Sequence, residues 1–480
     1  MSLFPNALRA TLRLLAFRTA AGVAFIAVGV AFAPPSIAAS SHTPSCSSPY
    51  KKQVVPAKQL RGIVRSHGQW LEQRHHPGHR KADLCQADLR RAQLMGANLE
   101  RANLEGALLA QADLSQSLLV QARLAEADLT KARMQEANLS GADLRRARLS
   151  AADLSRAVGD EAAFLGAVLV GAKLRESALE RAHLEGTNLT SADFTGADLV
   201  DSHFYGAVLH RAILSGADLL EADLRRTDLS KAQMKGANLQ GALFDGATLR
   251  GAQLIDADVE GAYFDEADLT DVNAQDALFR GADLRFSTLQ AANFHRADLE
   301  GVNLEGARLT GAAFRAANLR MAVIYLAMMD GADFRNARMD RAILIGTTGT
   351  GAAFVAADLS EAYAPKVSLR NARFNDATLE SANLVSADLR GAEFNHAKLA
   401  HANLQEADLR GASLSGADLT GTRLDGANLH DADLRGADLK AATGLTQAQL
   451  ESACVDASTI LPGDLNRPGP CRSPGKKRAS

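Results

Sequence analysis

Residues 82–106 read ADLCQ ADLRR AQLMG ANLER ANLEG. Alanine returns at positions ending in 2 or 7, and leucine at positions ending in 4 or 9. The same register holds to Leu439 without a slip, with Phe, Met, Val, Ile, Ala or Gly sometimes replacing leucine. A period of five suits neither an α-helix nor a flat strand, whose side-chain periods are about 3.6 and 2. A chain so patterned must turn every few residues and stack on itself, as repeat proteins do.

A second period gives the number of sides. Phe294, Phe314, Phe334, Phe354, Phe374 and Phe394 are spaced by twenty. One turn of twenty residues places these rings in a single column, where offset stacking is favourable. From Leu84 to Leu439 the inward position occurs seventy-two times, which predicts about eighteen turns and a length of roughly 86 Å at ~4.8 Å per turn. We name the four sides by their inward position: wall a holds 84, wall b 89, wall c 94 and wall d 99.

The repeats resemble the pentapeptide-repeat family, whose pattern is A(D/N)LXX, over about three quarters of the chain. The resemblance implies an all-β fold, a right-handed quadrilateral β-helix in which the small residue and the Leu/Phe point inward and the other three outward. Short α-helical caps are expected at both ends.

The inward residues also follow a volume pattern. Phe164, Phe204, Phe244 and Phe264 lie on wall a, and Phe194 and the later column on wall c, opposite. Small inward residues sit near the rings: Gly159 before Phe164, Ala274 opposite Phe264, Gly349 before Phe354, Ala364 opposite Phe354. That arrangement predicts compensation across a narrow, densely packed core. Glycines such as Gly236, Gly241, Gly246 and Gly251 mark the corners, where a positive φ is expected. Asp before the inward Leu reads as outward decoration.

Four segments follow from the pattern. Residues 1–39 read as an export signal, with Arg9, Arg13 and Arg18 ahead of an uncharged apolar run from Ala20 to Ala33 and small residues at Ala38 and Ala39. A retained membrane anchor is the alternative. Residues 40–81 form a Ser/Pro-rich, mobile linker to about residue 55 and then a capping helix. Its stripe is Leu60, Ile63, Val64, His67, Trp70 and Leu71, with Trp70 as the lid over the first turn. Residues 82–441 are the coil. Residues 442–480 hold a second helix from Gln447 to about Cys454, with capping-box spacing at Thr446 and Gln449 and staple spacing at Leu445 and Leu450. A basic, disordered tail follows Pro462.

The four cysteines, Cys46, Cys85, Cys454 and Cys471, all lie near the ends. An exported chain favours disulfides. Three pairings exist, of which Cys46–Cys85 and Cys454–Cys471 would each staple one cap; four free thiols are the alternative.

No nucleotide-binding loop, nucleophile elbow or HExxH motif is present in the sequence. No cofactor and no metal is expected, and the chain reads as non-enzymatic. His75, His76 and His79 read as a solvated connector, and His183 and His203 with Asp223 as stacked surface residues rather than ligands. The coil is acidic, most strongly on wall d through Asp160, Glu180, Glu260, Glu300, Asp340 and Glu380, so direct nucleic-acid binding is not expected. On wall b, Arg370, Arg390 and Arg410 alternate with Asp388 and Asp408 and predict an ion-paired ladder.

The functional signal is on wall a. Val323, Tyr325, Leu326, Ile343, Ile345 and Tyr363 occupy outward positions in three successive turns. Contiguous exposed apolar residues on a soluble chain mark a binding surface. The expected function is an exported scaffold binding an unknown protein, with a homodimer as one option and membrane contact only if the N-terminal segment is retained. The resemblance also implies an alternative, a DNA-mimicking modulator of type II topoisomerase, since some members of the family act so.

Overall fold

The structure is a computed structural model of the chain and describes residues 46–73 and 80–468. The predicted export signal therefore lies outside the described residues, as do His75, His76, His79, Cys471 and the end of the basic tail. Two helices are present among the described residues, α1 (Ala57–Glu72) and α2 (Gln447–Ser452). Between them the chain turns every five residues. The outward residue in the middle of each wall makes one parallel bridge to the residue twenty before and one to the residue twenty after, as in Asp83, Asn103 and Arg123. Twenty residues per turn and five per wall make four walls. The bridges are single, so no extended strand exists among the described residues.

Hydrogen bonding explains the A(D/N)LXX signature. In the pentapeptide 152–156, the Ala152 N–H closes a turn onto Leu149 O at 2.9 Å. Asp153 N–H donates down the coil to Ala132 O at 3.0 Å, and Leu154 and Arg156 N–H donate up it to Lys173 O and Arg175 O at 2.7 and 2.8 Å. One donor, Ser155 N–H, has no backbone acceptor. The Asp153 carboxylate takes it at 3.1 Å. Asx side chains accept from the backbone two residues on, and a longer Glu would overshoot. Asp before Leu is therefore part of the wall rather than decoration.

The corners differ from the expected glycine rule. Each is a turn closed from the second small residue back to the inward Leu, with positive φ at its third position, the type II signature. Arg156 (φ 57°), Glu161 (φ 57°) and Lys231 (φ 60°) adopt it, and non-glycine residues there outnumber glycines. Left-handed backbone costs an L-residue about 1–2 kcal/mol, and the ladder bonds on both sides of the corner hold it. Space matters more than φ at some glycines. A Cβ on Gly306 would lie 2.6 Å from the Phe286 ring, and one on Gly416 would lie 2.6 Å from the His396 ring. Bulky corner side chains lean onto the corner twenty residues later, and glycine there makes room.

The inward Ala/Leu set from Ala82 to Leu439 is buried, except that Ala92 and Ala97 in the first turn are partly exposed. The wall c phenylalanines stack from Phe294 to Phe394, with centroids 4.7–5.1 Å apart and planes within 5° of parallel. Phe279, on wall d, connects this column to the wall a rings: it meets Phe264 at 5.9 Å and Phe294 edge-on at 5.3 Å. The volume compensation is axial at the two glycines. A Cβ on Gly159 would meet Leu179 at 2.8 Å, and one on Gly349 would meet Met329 at 2.8 Å and Leu369 at 3.0 Å. These partners are one turn away on the same wall, because the rise per turn is shorter than the distance across the core.

Both ends are closed by chain that rejoins the ladder. Residues 46–55 are not a free linker but a first rung. Lys52 N–H donates to Gln86 O at 2.8 Å, Asp88 N–H to Gln53 O at 2.9 Å, and Cys46 is bridged to Cys85. Helix α1 then buries Leu60 and His67. His67, rather than the half-buried Trp70, is the plug. Its Nδ1 accepts from Ala82 N–H at 3.1 Å, so Nε2 carries the proton and donates to Glu100 O at 2.9 Å. Trp70 stacks on the outside of that ring at 5.5 Å.

At the other end α2 has the expected capping box at Thr446 and Gln449. Gln449 Nε2 also donates to Leu424 O and Ala427 O at 3.0 and 2.8 Å, tying the helix to the last turn. Helix α2 ends at Ser452, and Cys454 and Ile460 bridge to Asp433 and Asp438. The ladder thus runs past residue 441. Arg467 still donates to Thr459 O at 2.9 Å, so the chain beyond Pro462 is held at least that far.

Candidate protein-binding surface

The six predicted residues are brought together. Val323, Ile343 and Tyr363 are consecutive members of one bridge column on wall a, flanked by Asn303 and Asn383. Tyr325, Leu326 and Ile345 are corner residues of the same turns, and Leu326 N–H donates to Ile345 O at 3.1 Å. Leu326 and Tyr363 are 53% and 47% exposed, and the other four are half-buried. Half-burial against the neighbouring turn holds these side chains in place while leaving one face open. Sequence reasoning missed three neighbours: Phe286, Met321 and Met328 are also exposed. Phe286 and Leu326 share a corner file, and Met328 carries the apolar surface around that corner onto wall b. Reading the corner positions as a file of their own would have found Phe286.

Charge is arranged around the strip and not within it. Arg341 pairs with Glu361 at 2.8 Å, and Arg320 with Asp340 at 2.9 Å. On wall b the predicted ladder is present: Asp388 lies between Arg370 and Arg390 at 2.5 and 2.8 Å, and Asp408 meets Arg390 and Arg410 at 3.6 and 2.6 Å. The Arg390 and Arg370 bonds outweigh partial burial and hold the Asp388 carboxyl far below its usual range. Asp333 is partly desolvated, yet its bonds from Arg335 and Arg315 bring it down to about 2. Two carboxylates on wall a go the other way. Burial pushes Asp245 and Asp265 up, and one oxygen of Asp265 has no donor among the described residues.

His183 and His203 stack face to face at 5.0 Å, and the Nδ1 of His183 meets Glu185 at 3.1 Å. Two parallel imidazoles do not converge on one point. Among the described residues no group of three or more His, Cys, Asp or Glu is placed to hold a metal. Surface depressions, such as that lined by Gln275, Asn293, His295 and Arg315, are open to solvent. Cys454 is disulfide-bonded. No helix among the described residues is long and apolar enough to cross a membrane.

The family profile described as "Pentapeptide repeats (8 copies)" matches overlapping stretches from 80–111 to 402–440, with residues 364–367 the one gap. The chain belongs to the pentapeptide-repeat family. That membership implies a right-handed β-helix. No curated protein matches the chain. Among solved structures it is similar to HetL, a pentapeptide repeat protein involved in heterocyst differentiation regulation from the cyanobacterium Nostoc sp. strain PCC 7120. Identity to HetL is 31% over 48% of this chain and 90% of that one, with a TM-score of 0.18. A thylakoid-lumen pentapeptide repeat protein of Arabidopsis thaliana, AT2G44920, is 33% identical over 18% of this chain and 62% of its own, with a TM-score of 0.18. QnrB1, a plasmid-mediated fluoroquinolone resistance protein, is 18% identical over 33% of this chain and 87% of its own, with a TM-score of 0.21. At TM-scores this low, none of the three informs the role of this chain.

Proposed function

We propose that this protein is an exported, non-catalytic scaffold, a four-sided coil of about eighteen turns that binds a protein partner through wall a. The observation that carries the reading is the apolar strip from Val323 to Tyr363, in a chain whose other outward columns are mostly polar or ion-paired. Burying apolar area is worth about 25 cal/mol per Å² before association costs are subtracted, and aromatic side chains are the usual centres of such contacts. Export is supported by the Arg-flanked apolar run before Ala39 and by the Cys46–Cys85 bridge, which suits an oxidising compartment.

The test is the double variant Tyr325→Asp with Ile345→Asp. The expected result is an unchanged circular dichroism spectrum with altered self-association or altered partner capture from the exported fraction. A folded double variant with wild-type mass and wild-type partners would remove the strip from consideration. N-terminal sequencing of the secreted or periplasmic protein tests export separately. A retained Met1 in cytoplasmic protein would refute it. The topoisomerase reading has no comparable support, because the acidic file of wall d is partly neutralised by Arg320, which lies 2.9 Å from Asp340 and 3.9 Å from Glu300.

A further inference from the structure

Wall a carries more than the strip. All four tyrosines of the repeat region, Tyr205, Tyr263, Tyr325 and Tyr363, fall on it. Its outward surface includes two adjacent files, the bridge residues and the turn residues two positions later. The files touch: Asp143 meets Arg145, Asp223 meets Arg225 and Asp283 meets Arg285, each at 2.7 Å.

The two files have opposite patterns. Within the strip the first file runs Val323, Ile343, Tyr363, from small to large. The second runs Tyr325, Ile345, Pro365, from large to small. Charge behaves in the same way. Wherever both positions of one turn carry Asp, Glu, Lys or Arg the signs are opposite, as in the three pairs above and in Arg423 with Asp425. Such a surface complements itself about a two-fold axis that runs along the coil between the files. Each turn then meets the same turn of the other copy, first file against second. Tyr325 of one copy covers Val323 of the other, and Asp283 faces Arg285.

We infer that the occupant of wall a is a second copy of this chain, packed side by side with both coils pointing the same way. The inference rests on the placing of the binding surface on wall a and names the partner. Three turns of strip offer only about 150 Å² at ~4.8 Å per turn and a width of ~10 Å, far below the roughly 800 Å² per partner of a stable interface. The bridge column from Asp83 to Arg423 offers roughly 800 Å² on the same dimensions, so only an occupant as long and as regular as this wall uses it fully. Antiparallel packing centred on Ile343 and Ile345 would set Asp265 against Asp425, a like-charge contact. Parallel packing instead sets Asp265 against Tyr263 and Glu185 against His183.

Sedimentation equilibrium of the full chain is expected to give twice the chain mass. Mixing a Val323→Cys variant with a Tyr325→Cys variant and adding a short bismaleimide should cross-link the two chains. A Val323→Cys variant mixed with a Tyr363→Cys variant, the antiparallel neighbours, should not. Arg285→Asp should weaken the dimer at least about tenfold by creating a like-charge contact, and Asp283→Arg combined with Arg285→Asp should restore it. A monomeric wild type, or cross-linking of the antiparallel pair alone, overturns the inference. If the wild type is monomeric while Tyr325→Asp with Ile345→Asp abolishes capture of a different protein, the inference fails and the scaffold function stands.

Discussion

Asp218 and Leu219 are neighbours with opposite orientations, and each has its own part in the wall. Leu219 is fully buried, so Leu219→Asp places a charge where no partner exists and should disrupt its turn. Asp218 faces outward, but it accepts Leu220 N–H at 3.2 Å and the Asn238 amide at 2.8 Å. Asp218→Ala should cost about 0.5–1.5 kcal/mol, and Asp218→Asn should retain most of that. Hydrogen exchange at Leu220 distinguishes the two, since only the alanine variant frees that N–H. Titration gives a second residue-scale prediction. Burial lowers the pKa of His67 from its ordinary 6.5. The folded state therefore binds its proton less readily than the unfolded chain, and the N-terminal cap loses stability as pH falls below about 6.5. Asp276 and Asp333 are both lowered to about 2, Asp276 chiefly by its bonds from Arg296. Their contribution is complete above the ordinary carboxylate value of 3.8 and is lost as pH falls toward 2. Exchange followed along the chain should show opening near residues 82–100 first, and around Asp333 only in strong acid.

The elements of this protein are walls, columns and caps, and each has its own failure mode. Phe334 is stacked on both sides, at 5.0 Å from Phe314 and 5.0 Å from Phe354. Phe334→Ala should cost about 3–5 kcal/mol, felt mainly by adjacent turns because a stacked coil transmits strain to nearest neighbours. Gly349→Ala should cost about 1–3 kcal/mol by overpacking, since its Cβ would meet Met329 at 2.8 Å. Met329→Ala in the same chain should recover part of that loss, and a double-mutant cycle read by local exchange checks the coupling. The caps work by hydrogen bonding as much as by cover. His67→Phe keeps a ring over the first turn but leaves Ala82 N–H and Glu100 O unpaired, at about 1–3 kcal/mol for each such buried group.

For the molecule as a whole, the coil's ends are its vulnerable points, because an open turn presents unpaired backbone to any other chain. The double substitution Cys46→Ser with Cys85→Ser should loosen the first rung, raise exchange at Lys52 and Val55, and promote concentration-dependent association. Light scattering at increasing concentration is the check. An unchanged mass and unchanged exchange would mean that the bonds of residues 46–55 hold without the bridge.

The five-residue register, the four walls, the phenylalanine column, the capping box and the ion-paired arginine ladder were all legible in the sequence. Each is a periodic or short-range property, and a strict period leaves little freedom in where a side chain points. Other features depended on which atoms meet across a turn boundary, and a one-dimensional pattern does not record that. The Asp carboxylate reads as decoration until the one unpaired N–H of its pentapeptide is located. Gly349 reads as a partner of Phe354 until Met329 is found one turn away on its own wall. The segment 46–55 has no repeat pattern because it is a single rung, and only the ladder it completes shows it to be structure. His67 and Trp70 lie on one helical stripe with nothing in the sequence to rank them. The choice between them followed from the distance to one N–H and one carbonyl at the open end of the coil.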